Sequence, residues 1–196
     1  MSPQSFSTTK TVIVLFVIAA VSVLLIKGKI VRSIAQTPEE QSPKERVLEN
    51  KIPSHVPISV KIKKEKETAF KDLDNKKWAH DFELEVTNTG NKPIYSLSLM
   101  LVTEVKAAAG FSIVAPLSYG KLGELTDLAV PDDVPIKPGE TYVFRIHPGQ
   151  LAAWDSIGPK EHRPYPKRIQ LKLEGLSFGD GTGLVGNDGE IIPHAS

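Results

Sequence analysis

The stretch Phe82–Leu99, FELEVTNTGNKPIYSLSL, decides how the rest of the chain is read. Phe82, Leu84 and Val86 alternate with Glu83, Glu85 and Thr87, and Leu97 and Leu99 alternate with Ser96 and Ser98. Side chains two residues apart share one face of a strand, so each run has one apolar and one polar face. Between them, Asn88-Thr89-Gly90-Asn91-Lys92-Pro93 supplies residues suited to turn conformations and ends on the fixed φ of proline. The unit reads as strand, turn, strand.

The same period recurs on both sides. Val56 to Ile62 alternates, with Lys63 to Lys66 expected as its solvated end and a loose turn over Lys71 to Lys77. Lys137 to Thr141 is a turn leading into a strand over Tyr142 to Ile146. Arg168 to Phe178 places Ile169, Leu171 and Leu173 on one face, and Asp180-Gly181 and Thr182-Gly183 follow it as a tight turn. Ser112 to Tyr119 reads as a short strand interrupted by Pro116. Pro148 to Trp154 suits a short helix stopped by Gly158-Pro159, and Lys160 to Pro166 is too rich in proline to be regular. Five or more strands with little helix predict an all-β fold, an antiparallel sandwich rather than a βαβ sheet.

Thr11 to Ile26, TVIVLFVIAAVSVLLI, is sixteen residues without a charge. As a helix it is about 24 Å long, short for a hydrocarbon core of about 30 Å. A membrane anchor over residues 11–26 therefore needs Lys27 and Lys29 to snorkel at one end. The rival reading is a secretory signal, cleaved near Ser33-Ile34-Ala35 to release a secreted form. Lys27, Lys29 and Arg32 between the apolar run and that site favour the uncleaved anchor. The same three cations, by the positive-inside rule, favour a cytoplasmic domain, whereas the signal-like layout favours an extracytoplasmic one, in the periplasm or at the cell surface. Gln36 to His55 is dominated by charged residues, proline and serine, and reads as a flexible stalk of up to roughly 66 Å if extended. The expected organisation is an anchor or signal over 1–35, a stalk over 36–55, a sandwich over 56–185 and a fraying tail over 186–196.

Lysine and arginine number 24 against 23 acids, intermingled, which argues against a nucleic-acid surface. Cysteine is absent, which removes disulfides, thiolate catalysis and cysteine zinc sites. The five histidines show no metal spacing. Asp132-Asp133 are adjacent, so they point apart rather than into one cleft as glycosidase acids must. No nucleophile elbow or phosphate loop is present. The chain is read as non-catalytic, with no cofactor.

Two weaker signals remain. Asp180, Asp188 and Glu190 lie in Asp/Gly-rich turns that offer oxygen ligands of the kind calcium takes, although their spacing is not that of an EF-hand. Hairpin turns use the same residues for backbone reasons. The long connection from Ala107 to Ile136 and the loop over 155–166 are the natural display surfaces, with Tyr119, Asp132, Asp133, Trp154 and Tyr165 as candidate contact residues. Trp154 is expected to cap one end of the sandwich.

FELEVTNTGNKPIYSLSL and IKPGETYVFRI together resemble bacterial exported immunoglobulin-like modules, with RIQLKLEGLSFGDGTG as the last hairpin. The chain is similar to uncharacterised membrane-anchored bacterial proteins carrying such a sandwich, over about residues 56 to 185. The resemblance implies an immunoglobulin-like antiparallel β-sandwich preceded by an N-terminal hydrophobic helix and a polar stalk. It implies no catalytic residues. The expected role is a tethered module that binds envelope protein or glycan. A structural subunit that pairs through a sheet edge, or a hydrolase whose site is assembled from distant residues, are the alternatives.

Overall fold

Nine strands and three helices follow one another along residues 43–192 of the computed structural model, which describes 43–107, 109–121, 124–160 and 165–192. The strands are β1 (Val47–Asn50), β2 (Ile58–Ile62), β3 (Glu83–Asn88), β4 (Ser96–Lys106), β5 (Ser112–Tyr119), β6 (Thr141–Arg145), β7 (Arg168–Ser177), β8 (Gly183–Val185) and β9 (Glu190–Ile192). The helices are α1 (Lys64–Lys71), α2 (Trp78–Asp81) and α3 (Pro148–Lys160). Six strands form one sheet in the order β5-β4-β7-β8-β9, with β1 paired to β7, and three form a second in the order β2-β3-β6. All pairings are antiparallel except β1 with β7. The all-β sandwich expected from alternation is the architecture observed.

Alternation explains how the core is filled. Leu84, Val86 and Phe144 from the small sheet join Leu97, Leu99, Leu101, Ala115, Leu117, Ile169, Leu171 and Leu173 from the large sheet in one buried cluster. Each fully buried leucine or phenylalanine contributes about 1.5–3 kcal/mol by leaving water. The intervening Glu83, Glu85, Lys172 and Gln170 remain at least partly solvated.

The decisive stretch is not a hairpin. β3 pairs with β2 and β6, whereas β4 pairs with β5 and β7, so Asn88–Pro93 carries the chain from one sheet to the other. Buried Asn88 holds the crossing: its Nδ2 donates to the Lys92 and Ile136 carbonyls, and its Oδ1 accepts from the Gly90 N–H. Alternation predicts a strand's faces but not its neighbour. The hairpin expected after Arg168 to Phe178 does form, with Gly175 opposite Val185 across β7 and β8, and β9 adds a further one beyond it. Pro116 does not interrupt β5; it sits on an edge strand, where the missing N–H removes no ladder bond that the sheet needs.

Four boundaries differ from expectation. Residues 43–55 are not stalk: Arg46 is buried and β1 pairs with β7. Proline, serine and charge in that segment hid a four-residue strand and one buried cation. Lys63–Lys66 does not prolong β2; it turns into α1, whose Glu67–Lys71 pair lies at 2.9 Å and whose Phe70 is its one buried anchor. α3 runs through Gly158-Pro159 to Lys160. Finally, Glu190–Ile192 pairs with β8 rather than fraying. The expected anchor at 11–26, the cleavage positions at 33–35 and stalk residues 36–42 lie outside the described residues. Among the described residues no helix is long and apolar enough to cross a membrane.

Candidate functional site

The connection from β5 to β6 is built to be held and yet to show apolar side chains. It leaves β5 at Gly120, with φ 78°, where a Cβ would fall on the Tyr95 carbonyl. Glycine is required there for space and for conformation. Further on, the Glu124 N–H donates to Asp127 Oδ2 and the Val130 N–H to Asp133 Oδ2, both at 2.9 Å. The Ala129 N–H reaches the Gly179 carbonyl at 2.8 Å, and Ile94 and Ile136 bond each other through both main-chain groups. The Tyr119 hydroxyl donates to the Val134 carbonyl at 2.7 Å.

Within this bracing, Leu128, Val130 and Val134 are 61%, 52% and 74% exposed. The loop is thus braced from within, by Asp127 and Asp133, and from outside, by Gly179, Ile94 and Tyr119, while these three apolar side chains face water. Four carboxylates (Glu124, Asp127, Asp132, Asp133) share residues 121–136 with the single cation Lys121. Asp133 titrates below the usual aspartate range, chiefly because the Val130 N–H bonds its carboxylate, with Lys121 at 3.4 Å assisting. Burial pushes the Tyr119 phenol above its ordinary value, reinforced by Tyr142 and Glu140, so the hydroxyl stays a neutral donor. Two shallow pockets of about 290 and 210 Å³ flank the loop, sharing Tyr95, Lys121 and Asp133. Tyr119, Asp132 and Asp133 are thus brought together.

Trp154 and Tyr165 are elsewhere. Trp154 on α3 meets Trp78 edge-on at 5.4 Å, and Trp78 in turn meets Phe70 at 6.3 Å. This ring chain lays Trp154 over a core tryptophan. Trp154, Tyr165 and Lys77 line a groove of about 700 Å³ with His80 and Asp155, whose side chains pair at 3.0 Å. Both members of that pair are largely exposed, and its effect is to tie α2 to α3.

The acidic turns do not converge. Asp180 accepts from Lys92 Nζ at 2.7 Å, from the Thr182 hydroxyl and from the Thr182 N–H at 3.0 Å, which together hold its carboxyl down at about 2. Asp188 lies in the turn before β9, and Glu190 lies on β9, exposed. Among the described residues no three acids or histidines gather as a metal site would need.

Sequence reasoning missed Arg46, which is 1% exposed. Its Nε donates to the Pro166 carbonyl at 2.9 Å and its Nη1 to the carbonyls of Phe70 and Asp72, while its guanidinium lies 5.1 Å from the Trp78 ring centroid. An arginine in a polar run carries no periodic signal. It also missed Tyr142, which bridges Tyr119 and Phe144. Comparison of the chain with protein-family models, with curated proteins and with solved structures finds no match.

Proposed function

We propose that the chain is a non-catalytic interaction module with an immunoglobulin-like sandwich, held at a membrane by Thr11–Ile26 with its β domain on the extracytoplasmic side. The observation that carries the reading is the braced loop that holds Leu128, Val130 and Val134 in water. A rigid frame with an ordered apolar loop suits recognition of another macromolecule, and the four carboxylates favour a partner face that is apolar and basic. What supports the immunoglobulin-like assignment is strand order. β2-β3-β6 opposite β5-β4-β7-β8 follows an A-B-E sheet facing a C′-C-F-G sheet, without the inter-sheet disulfide of antibody domains.

The test is site-specific photo-crosslinking in intact cells. A photoreactive residue at Val130 or Val134 is expected to capture one partner, and the same residue at Lys66 on α1 is not. Leu128→Ser with Val134→Ser is expected to remove the adduct without lowering the melting temperature. Equal yields from all three positions, or none, would remove the loop from the function. Sidedness is tested separately by protease added to spheroplasts, following a tag after Ser196. Release of a tagged domain cut upstream of Pro43 supports the extracytoplasmic placement, and protection until the membrane is dissolved overturns it.

A further inference from the structure

On the side of the sandwich away from the loop, edge strands β1 and β2 of the two sheets face each other, and among the described residues neither is paired on its outward side. In β1, the Val47 N–H donates to the Lys167 carbonyl and the Lys51 N–H to the Leu171 carbonyl. Main-chain groups alternate in direction along a strand, so those of Leu48 and Asn50 point away from β7. In β2, the Pro57 carbonyl accepts from Thr89 and the Lys63 N–H donates to Glu83. The groups of Val60 therefore point away from β3. Neither Leu48 nor Val60 has a main-chain partner on its outward side among the described residues. Between the two edges runs a groove of about 480 Å³, walled by Leu48, Val60, Ile62 and Phe70 and closed at one end by α1. That volume is in the range of specific ligand sites, roughly 300–1,000 Å³.

We propose that this groove receives a single extended segment of a partner protein, which adds antiparallel to β2 and places apolar side chains at alternate positions against the groove walls. Unsatisfied donors and acceptors in a row on a strand edge are matched by another strand and by little else. The occupant is one isolated segment because β1 stands across the gap. The β2 edge of a second copy would bring its own sheet with it and collide there. Charge indicates the rest of the partner's chemistry. Along the groove Lys61 pairs with Glu85 and Lys71 with Glu45 and Glu67, whereas Lys64 at the rim has no acidic partner among the described residues. A carboxylate on the incoming segment answers Lys64. This surface is independent of the apolar loop, and either can fail without the other.

The experiment is selection of a displayed library of random nine-residue peptides against the full-length chain. Expected are enriched peptides with an apolar residue at every second position and an acid at one end. Their affinity should fall at least tenfold in Val60→Pro, which removes an outward N–H and is tolerated on an edge, and should be unchanged in Leu128→Ser/Val134→Ser. Should Val60→Pro lower the melting temperature, wild-type amide exchange decides instead: a selected peptide must slow exchange at Val60 while leaving Ser59, already bonded to β3, unchanged. No enrichment, peptides indifferent to Val60→Pro in a folded variant, or no added protection at Val60 would overturn the proposal.

Discussion

The two open sides of the sandwich are finished in opposite ways. Where β5 meets β6, the ring of Tyr119 packs on Tyr142 at 4.5 Å and Tyr142 on Phe144 at 4.9 Å, so aromatic side chains bridge the sheets. Where β1 meets β2, no such bridge exists among the described residues, and a groove remains. The first side is closed by apolar contact, which needs no partner geometry. The second is held by one buried charge, Arg46, whose hydrogen bonds tie the start of β1 to α1 and to the approach to β7. A closed side contributes stability, whereas an open one keeps main-chain groups available. Burial pulls the Arg46 guanidinium down to about 10, against the opposing pull of Asp72 and Glu104, so it remains a cation at neutral pH.

The largest effects should come from removing what holds each side. Phe144→Ala is expected to cost about 3–5 kcal/mol through lost burial and a cavity. Arg46→Ala should cost a similar amount, about 3–5 kcal/mol, because it strands the buried carbonyls of Pro166 and Phe70, removes the bond to the part-buried Asp72 carbonyl and empties the space against Trp78. Urea unfolding measures both; a cost below 1 kcal/mol for Arg46→Ala would mean that the open side does not depend on it.

Next in size is a contrast between neighbours on β2. Ser59→Pro deletes an N–H that faces β3 and should cost about 1–3 kcal/mol, whereas Val60→Pro deletes one that faces the groove and should cost less than about 1 kcal/mol. Equal costs, read from thermal melts, would show that the edge register assigned to β2 is wrong. Smaller again, Tyr119→Phe keeps the ring seal and removes only the bond to Val134, so about 0.5–1.5 kcal/mol is expected. A larger loss would transfer importance from the rings to the hydroxyl.

The smallest effect is electrostatic. The Asp180 carboxyl is held at about 2 by Lys92 and Thr182. A carboxylate depressed in the folded state adds stability above its unfolded value of about 3.9, and that contribution is lost as pH falls through the folded value. Because both side chains of the ion pair are 47% exposed, solvent screening limits the gain to less than about 1 kcal/mol. Asp180→Asn should therefore flatten the stability profile between pH 4 and pH 2 and change little at pH 1. An unchanged slope would show that the pair contributes nothing in solution.

The candidate contact residues were legible only as a set of types. Tyr119, Asp132 and Asp133 converge because the 121–136 loop folds back over β5, whereas Trp154 and Tyr165 meet Trp78 through α3. Nothing in their spacing separates one group from the other. Leu128 and Val130 lie in a short apolar run and Val134 between acids and a proline; the bonds from the Ala129 N–H to Gly179 and from the Tyr119 hydroxyl to the Val134 carbonyl hold the loop in which all three face water.

By itself the sequence determined that the chain makes strands, and which face of β3, β4 and β7 is buried, because period-two alternation is a local property of every strand. It also determined the hairpin of β7 and β8, where Asp180–Gly183 leaves the chain little choice. Only the tertiary structure decided that β3 and β4 belong to different sheets, that residues 47–50 complete an edge, and that Arg46 is buried. Pairing partners and buried single charges are settled by contacts between segments far apart in sequence, such as Arg46 with Pro166. Those contacts follow from the whole set of packed faces, not from any one of them.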